Sequence, residues 1–128
     1  MYGFNTVVNG DFDQVVEKVT AALMEQGFGV LTEIDVKATM KKKLDVDMRP
    51  YLILGACNPT LANKVITTDP DIGLLLPCNV VVREEEDGSN TVAFMDPGAV
   101  LGLVGKEEIN ELAAEVRQRL VKVKDSLN

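Results

Sequence analysis

The sequence predicts an α+β fold in which a mostly antiparallel sheet of five strands is packed by helices, with a long helix at the C-terminus. The first supporting observation is the order of the apolar patterns, which alternate between strand and helix periodicity as β-α-β-α-β-α-β-β-α. The second is Asp87-Gly88, a dipeptide that favours a tight hairpin and therefore antiparallel neighbours. The third is the shortness of the connections, which favours a mixed or antiparallel sheet over a doubly wound one. A length of 128 residues suits one domain spanning 1–128.

The N-terminal part of the chain is predicted to contain two strands and two helices. Alternation indicates a first strand at Tyr2–Asn9, and Asp11 is suited to cap the helix that follows, which Gly27 ends. A second strand is expected at Phe28–Asp35, and Asp35 can cap a short helix whose last turn carries three lysines. Strict alternation along the second strand places four side chains on one face: Phe28, Val30, Thr32 and Ile34.

The middle of the chain predicts an interior strand followed directly by a helix. Tyr51–Ala56 is apolar on both faces apart from Tyr51, which is typical of a strand inside a sheet. Asn58-Pro59 then starts a helix, because asparagine is a strong N-cap and proline suits the first helical position. The apolar stripe expected to be buried on this helix consists of Leu61, Ala62, Val65 and Ile66.

The C-terminal part predicts a hairpin and the closing helix. The strands of the hairpin are expected at Cys78–Glu84, after the break at Pro77, and at Thr91–Met95. The closing helix begins at about Lys106 and carries a continuous apolar stripe: Ile109, Leu112, Ala113, Val116, Leu120, Val123 and Leu127. The apolar segment Gly98–Gly105 has no evident place in the core. We expect it to form a homodimer interface or, as a second possibility, a lid over an apolar pocket.

Composition excludes several classes of function. A net charge of −7 and a pI near 4.5 argue against nucleic-acid binding, which needs clustered lysine and arginine. The absence of histidine removes His-based metal sites, Ser-His and Cys-His dyads and axial haem ligation by histidine. No signal peptide and no membrane-spanning run is recognisable, and two cysteines then indicate reduced thiols and a cytoplasmic location.

The two cysteines are the residues with the most chemical potential. Cys57 precedes the helix that starts at Asn58, and a helix N-terminus stabilises a thiolate, so Cys57 is a candidate nucleophile or soft-metal ligand. If the third and fourth strands are neighbours, Cys78 lies near enough to act as a second ligand or a resolving thiol. Two buried structural cysteines are the simpler interpretation, because no histidine can serve as a base and two thiolates leave tetrahedral zinc incomplete.

Each cysteine is followed by an asparagine. Asn58 is expected to cap its helix, and Asn79 to bond to backbone at a strand end, although both amides could face a cleft beside the thiols. Asp96-Pro97 ends the last strand and adds a carboxylate to the candidate site.

Four segments resemble one bacterial and archaeal family, catalogued as domain of unknown function 302: Gly27–Asp35, Ile53–Pro59, Leu74–Val82 and Met95–Pro97. The resemblance implies an α+β domain similar in topology to the TATA-binding-protein fold, with extra helices and often dimeric. It implies no DNA binding, because a fold does not carry a function with it. It transfers no reaction, and it marks seven residues as candidates for a shared site: Cys57, Asn58, Pro77, Cys78, Asn79, Asp96 and Pro97.

Two functional hypotheses from different classes, and a structural alternative, therefore stay open. The first is a dimeric binding module for a small ligand or a soft metal ion, with its cleft near the two Cys-Asn motifs. The second is a thiol-dependent enzyme or redox protein that uses Cys57 together with Cys78. The third is a structural or interaction domain without a small ligand. The sequence identifies no cofactor.

Overall fold

Five antiparallel strands form one sheet, in the order β1-β5-β4-β3-β2, in the computed structural model, which describes residues 1–128. The strands are β1 (Gly3–Val8), β2 (Gly29–Asp35), β3 (Tyr51–Cys57), β4 (Cys78–Glu84) and β5 (Asn90–Met95). The helices are α1 (Phe12–Glu25), α2 (Val36–Leu44), α3 (Pro59–Thr68), α4 (Pro97–Leu101) and α5 (Glu107–Ser126), with short 3-10 helices at Pro70–Leu75 and Gly102–Val104. The predicted fold class, an antiparallel five-stranded sheet packed by helices, is confirmed.

The predicted caps form the helix starts. The Asp11 carboxylate accepts from the Gln14 backbone N–H at 3.3 Å, and the Asp35 carboxylate accepts from Ala38 at 2.9 Å. The end of α1 is followed by Gly27 at φ +84°, a conformation that glycine adopts at little cost. Local chemistry thus determines where α1 and α2 begin.

The core lies on one face of the sheet, under α1 and α5. A main cluster of 19 buried residues includes Leu23, Leu54, Val80 and Phe94. A second cluster packs α3 and α4 against the first half of α5 and consists of Val65, Ile72, Leu101, Ile109 and Ala113. All residues of the predicted α5 stripe are buried except Leu112, which packs partly buried against both clusters.

A β-bulge in β2 corrects the predicted alternation of that strand. The register shifts between Val30, which pairs with Ala56, and Thr32, which pairs with Gly55. Because Ala56 and Gly55 point to opposite faces of β3, Phe28 and Val30 face the core whereas Thr32 and Ile34 face the other side. The expectation that all four share one face is wrong, because one extra residue reverses the alternation beyond it.

In the segment Gly98–Gly105 one residue is buried in the core, and most of the others are exposed. Leu101 is 2% exposed and belongs to the second cluster, whereas Leu103 is 79% exposed. Its place in the core was missed by the sequence analysis, because a five-residue helix shows too little periodicity to be recognised. None of the helices combines the length and the apolar character that crossing a membrane requires.

Candidate functional site

A pocket of about 290 Å³ opens where the end of β3, the beginning of α3 and the beginning of β4 meet. Twelve of its fifteen lining residues are hydrophobic, and none is charged. Phe28 and Ala56, which are 1% and 0% exposed, lie at its base. Leu31 and Ile66, which are 67% and 43% exposed, lie at its rim. The pocket is therefore an apolar cavity with an apolar mouth.

The bulge in β2 contributes one wall of the pocket. Leu31 is the extra residue between the paired Val30 and Thr32, and it lines the pocket instead of facing a partner strand. Gly55 packs closely against two residues that line the pocket, Thr32 and Pro77. A Cβ on Gly55 would lie 2.9 Å from Pro77 Cγ and would collide with Thr32 Oγ1, so only glycine fits between them.

The start of α3 forms the opposite wall. The Asn58 side-chain oxygen accepts from the Leu61 backbone N–H at 3.2 Å, and Pro59 occupies the first turn, as the sequence predicts. Of the expected buried stripe, Leu61 and Val65 are buried, whereas Ala62 and Ile66 are partly exposed and line the pocket. The stripe is thus shared between the core and the cavity.

Both cysteines line this pocket. Cys78 on β4 pairs with Ala56 on β3, and Cys57 directly follows Ala56 along β3. Both are free thiols; Cys78 is 6% exposed and Cys57 is partly exposed. Strands β3 and β4 are neighbours, which is the condition that the predicted proximity of the thiols requires, and no disulfide joins the two cysteines.

Burial determines the ionisation of both thiols. Desolvation raises the pKa of the Cys57 thiol, and it raises the pKa of Cys78 to about 11, with a further contribution from the neighbouring Cys57. A nucleophilic thiolate needs the opposite shift, so the lowered pKa expected at the α3 N-terminus is not found. Near neutral pH both side chains are uncharged thiols and form part of the apolar wall of the pocket.

A tetrahedral metal site lacks a complete ligand set here. The protein contains no group of three or more His, Cys, Asp or Glu side chains placed to hold one. The two thiols have no nearby carboxylate to complete a tetrahedral site.

Asn79 lies on the other face of the sheet from Cys78. It follows Cys78 directly along β4, and successive side chains of a strand point to opposite faces. It lines a separate groove of about 500 Å³, together with residues of β1 and β5. The two Cys-Asn motifs therefore bring three of their four side chains, but not Asn79, to the pocket.

Asp96 also lies outside the pocket. Its carboxylate caps α4 by accepting from the Gly98 backbone N–H at 2.9 Å, and it accepts from Arg117 Nε at 3.1 Å. Arg117 in turn lies 5.3 Å from the centre of the Phe4 ring. This network joins β1, α4 and α5, which gives Asp96 a structural role.

Four pocket residues from elsewhere in the chain were not predicted from the sequence: Leu31, Leu76, Leu101 and Val116. The run Leu74–Leu76 before Pro77 was the one available signal, since an apolar segment outside a regular strand needs a partner. Nothing in the alternation of β2 indicated the bulge that turns Leu31 into the pocket.

The fold and the site define a class of protein: an α+β domain with an apolar pocket that no charged residue lines. The family described as "Domain of unknown function DUF302" matches residues 4–127, and the chain belongs to this family.

Two similar proteins are described as uncharacterised. An uncharacterised protein of Aquifex aeolicus (strain VF5) is 32% identical over 81 residues, which cover 53% of this chain and 56% of that protein. The matched region thus spans little more than half of that relative. The crystal structure of an uncharacterised conserved DUF302 protein from Bacillus stearothermophilus is 28% identical, with a TM-score of 0.92 over 100% of this chain and 99% of that one.

Proposed function

We propose that this protein is a binding module for an apolar small molecule, which occupies the pocket between β3, α3 and β4. The observation that supports this most directly is the lining: a cavity of about 290 Å³ with twelve hydrophobic residues of fifteen and no charge. Ligand pockets are predominantly apolar and begin at roughly 300 Å³, so this one suits a compact ligand.

The pocket has few polar groups, and these offer little hydrogen bonding to a ligand. The Asn58 oxygen already accepts a backbone hydrogen bond, and the two thiols are protonated and poor hydrogen-bonding groups. Binding then depends on removing apolar surface from water, which contributes roughly 25 cal/mol per Å². A neutral, largely hydrocarbon ligand is favoured over an ionised one, because an unpaired charge in such a site is costly.

The thiol-enzyme hypothesis has less support, since the pKa of both cysteines is raised. A cytoplasmic location is part of the proposal, supported by the two free cysteines, which are typical of a reducing compartment.

The test is a titration with 1-aminoanthracene, a neutral apolar fluorophore whose emission rises out of water. We expect one saturable site on the wild-type protein. Ala62→Phe fills the pocket from α3 and is expected to weaken binding at least about tenfold, because the phenyl ring occupies the volume of the ligand.

Ala114→Phe is the matched control, since Ala114 is an exposed helical alanine of α5 that does not line the pocket. It should bind like wild type. Equal affinity in Ala62→Phe and wild type, with both folded by circular dichroism, would place the fluorophore elsewhere and refute the proposal.

A further inference from the structure

A groove of about 500 Å³ lies on the face of the sheet opposite the core, over β1, β5 and β4. Side chains that share this face form its floor: Gly3 pairs with Met95, and Asn5, Ala93 and Val81 form the next row. Glycine and alanine keep the middle of the floor low, and the longer side chains around them form the walls. The groove is therefore an open, flat-bottomed site, separate from the pocket on the core side of the sheet.

The groove contains no acidic residue. Arg83 is the single charged side chain among its eleven lining residues, in a chain with 20 acidic and 13 basic residues. Seven of the lining residues are hydrophobic. A ligand in the groove thus meets an apolar surface and one positive charge, an arrangement that favours an anion with an apolar body.

Arg83 is held in position and keeps part of its hydrogen-bonding capacity. Its Nε donates to the Glu85 carboxylate at 2.7 Å, and neither Nη atom donates to another group of the chain. The edge of a guanidinium formed by its two Nη atoms can bind a carboxylate through two parallel hydrogen bonds. Because the two side chains of this ion pair are 37% and 40% exposed, water screens the Glu85 charge. Arg83 can therefore bind a second carboxylate, that of a ligand.

Two amides lie at other sides of the groove. The side chains of Asn5 and Asn79 are both exposed, and neither makes a hydrogen bond within the chain. Asn79 and Arg83 are four residues apart on β4, so their Cα atoms lie roughly 13 Å apart, with Val81 between them. A flat body that rests on Val81 and Ala93 therefore has Arg83 at one end and an amide at the other.

We propose that this groove binds a small aromatic carboxylate, with the carboxylate on Arg83 and the ring on Ala93 and Val81. The proposal is independent of the pocket on the core side, whose uncharged lining suits a neutral ligand. It also gives a role to Asn79, the one side chain of the two Cys-Asn motifs that does not line that pocket.

Other ligands fit the groove less well. A nucleic acid needs several cations along its backbone, and the groove has one. A neutral hydrocarbon would cover Arg83 and the two amides without giving them partners, which costs free energy. A carboxylate satisfies the arginine, and a polar atom at the far end of the ring satisfies an amide.

The test is isothermal titration of the full chain with sodium 2-naphthoate and with 2-naphthamide, which has nearly the same shape and no charge. We expect one site for 2-naphthoate, with an affinity at least about tenfold higher than that for 2-naphthamide, because only the carboxylate pairs with the guanidinium.

Arg83→Gln removes the charge and keeps a polar side chain of similar length. It should weaken 2-naphthoate binding at least about tenfold and leave 2-naphthamide binding unchanged. Lys122→Gln is the matched control, since it removes one positive charge from an exposed residue of α5 that lines neither the groove nor the pocket. It should bind 2-naphthoate like wild type.

Three outcomes overturn the proposal: no 2-naphthoate binding up to about 5 mM, equal affinity in Arg83→Gln and wild type, or an equal loss in Lys122→Gln. Circular dichroism checks that each variant is folded. If Arg83→Gln unfolds, Ala93→Phe provides a second change, because the phenyl ring fills the floor of the groove and should abolish 2-naphthoate binding. Loss of 2-naphthoate binding in Ala62→Phe would place the ligand in the core-side pocket and would also overturn the proposal.

Discussion

Cys78 shows how one residue serves both the core and the site. Its side chain is buried in the main cluster and also lines the pocket, and burial raises the pKa of its thiol to about 11. The simpler interpretation of the sequence was two buried structural cysteines; Cys78 is buried, whereas Cys57 is partly exposed. What the sequence could not supply is the environment of the thiol, which comes from residues far away in the chain.

The raised pKa of Cys78 predicts a specific alkaline loss of stability. The unfolded chain releases this proton at about 8.5–9, whereas the folded protein holds it until about 11. The stabilisation is therefore complete below the unfolded pKa and decreases as pH rises from about 9 to about 11. The full rise of this pKa, from 9.0 to about 11, corresponds to about 3 kcal/mol of unfolding free energy, most of which is lost by pH 11.

Urea denaturation under reducing conditions at pH 8 to 11 measures this loss. The wild type should lose about 2 kcal/mol more than Cys78→Ala over that range. Every other ionisable residue is common to the two proteins, so the difference reports on this thiol. Parallel pH curves for the two proteins would show that the folded-state pKa is not raised.

Elements were predicted well where local chemistry determines them. Strand β4 was expected at Cys78–Glu84 and is found there, and the caps at Asp11, Asp35 and Asn58 start their helices. The bulge at Leu31 was not predicted, because an extra residue in a strand is stabilised by its tertiary contacts and leaves no local signature. Asn79 was grouped with Cys78 because the two residues are adjacent in the sequence. Adjacent side chains of a strand point to opposite faces of the sheet.

A substitution at Gly55 tests how tightly β2, β3 and the segment at Pro77 pack against one another. Gly55→Ala should destabilise the protein by about 1–3 kcal/mol, because its Cβ would lie 2.9 Å from Pro77 Cγ and would collide with Thr32. Gly29→Ala is the matched control in the paired strand, since nothing lies within 4 Å of a Cβ there. Chemical denaturation of both variants measures the difference. A Gly55→Ala protein as stable as Gly29→Ala would mean that this contact is not tight.

At the scale of the whole molecule, the pocket lies where the two core clusters meet. Phe28, Leu61 and Val116 come from the main cluster, and Val65 and Leu101 come from the second. Helix α5 spans both clusters, so the closing helix predicted from the sequence holds the two sides of the pocket together.

The alkylation rate of Cys57 against pH, with and without saturating 1-aminoanthracene, tests the central claim most directly. Cys57 is partly exposed and lines the pocket, so its labelling reports both ionisation and occupancy. We predict a midpoint above the ordinary value of 9.0, since burial raises the pKa of this thiol, and slower labelling when the fluorophore is bound. A midpoint well below about 8.5 would instead indicate an activated thiolate and favour a thiol enzyme, and a rate indifferent to the fluorophore would contradict binding in this pocket.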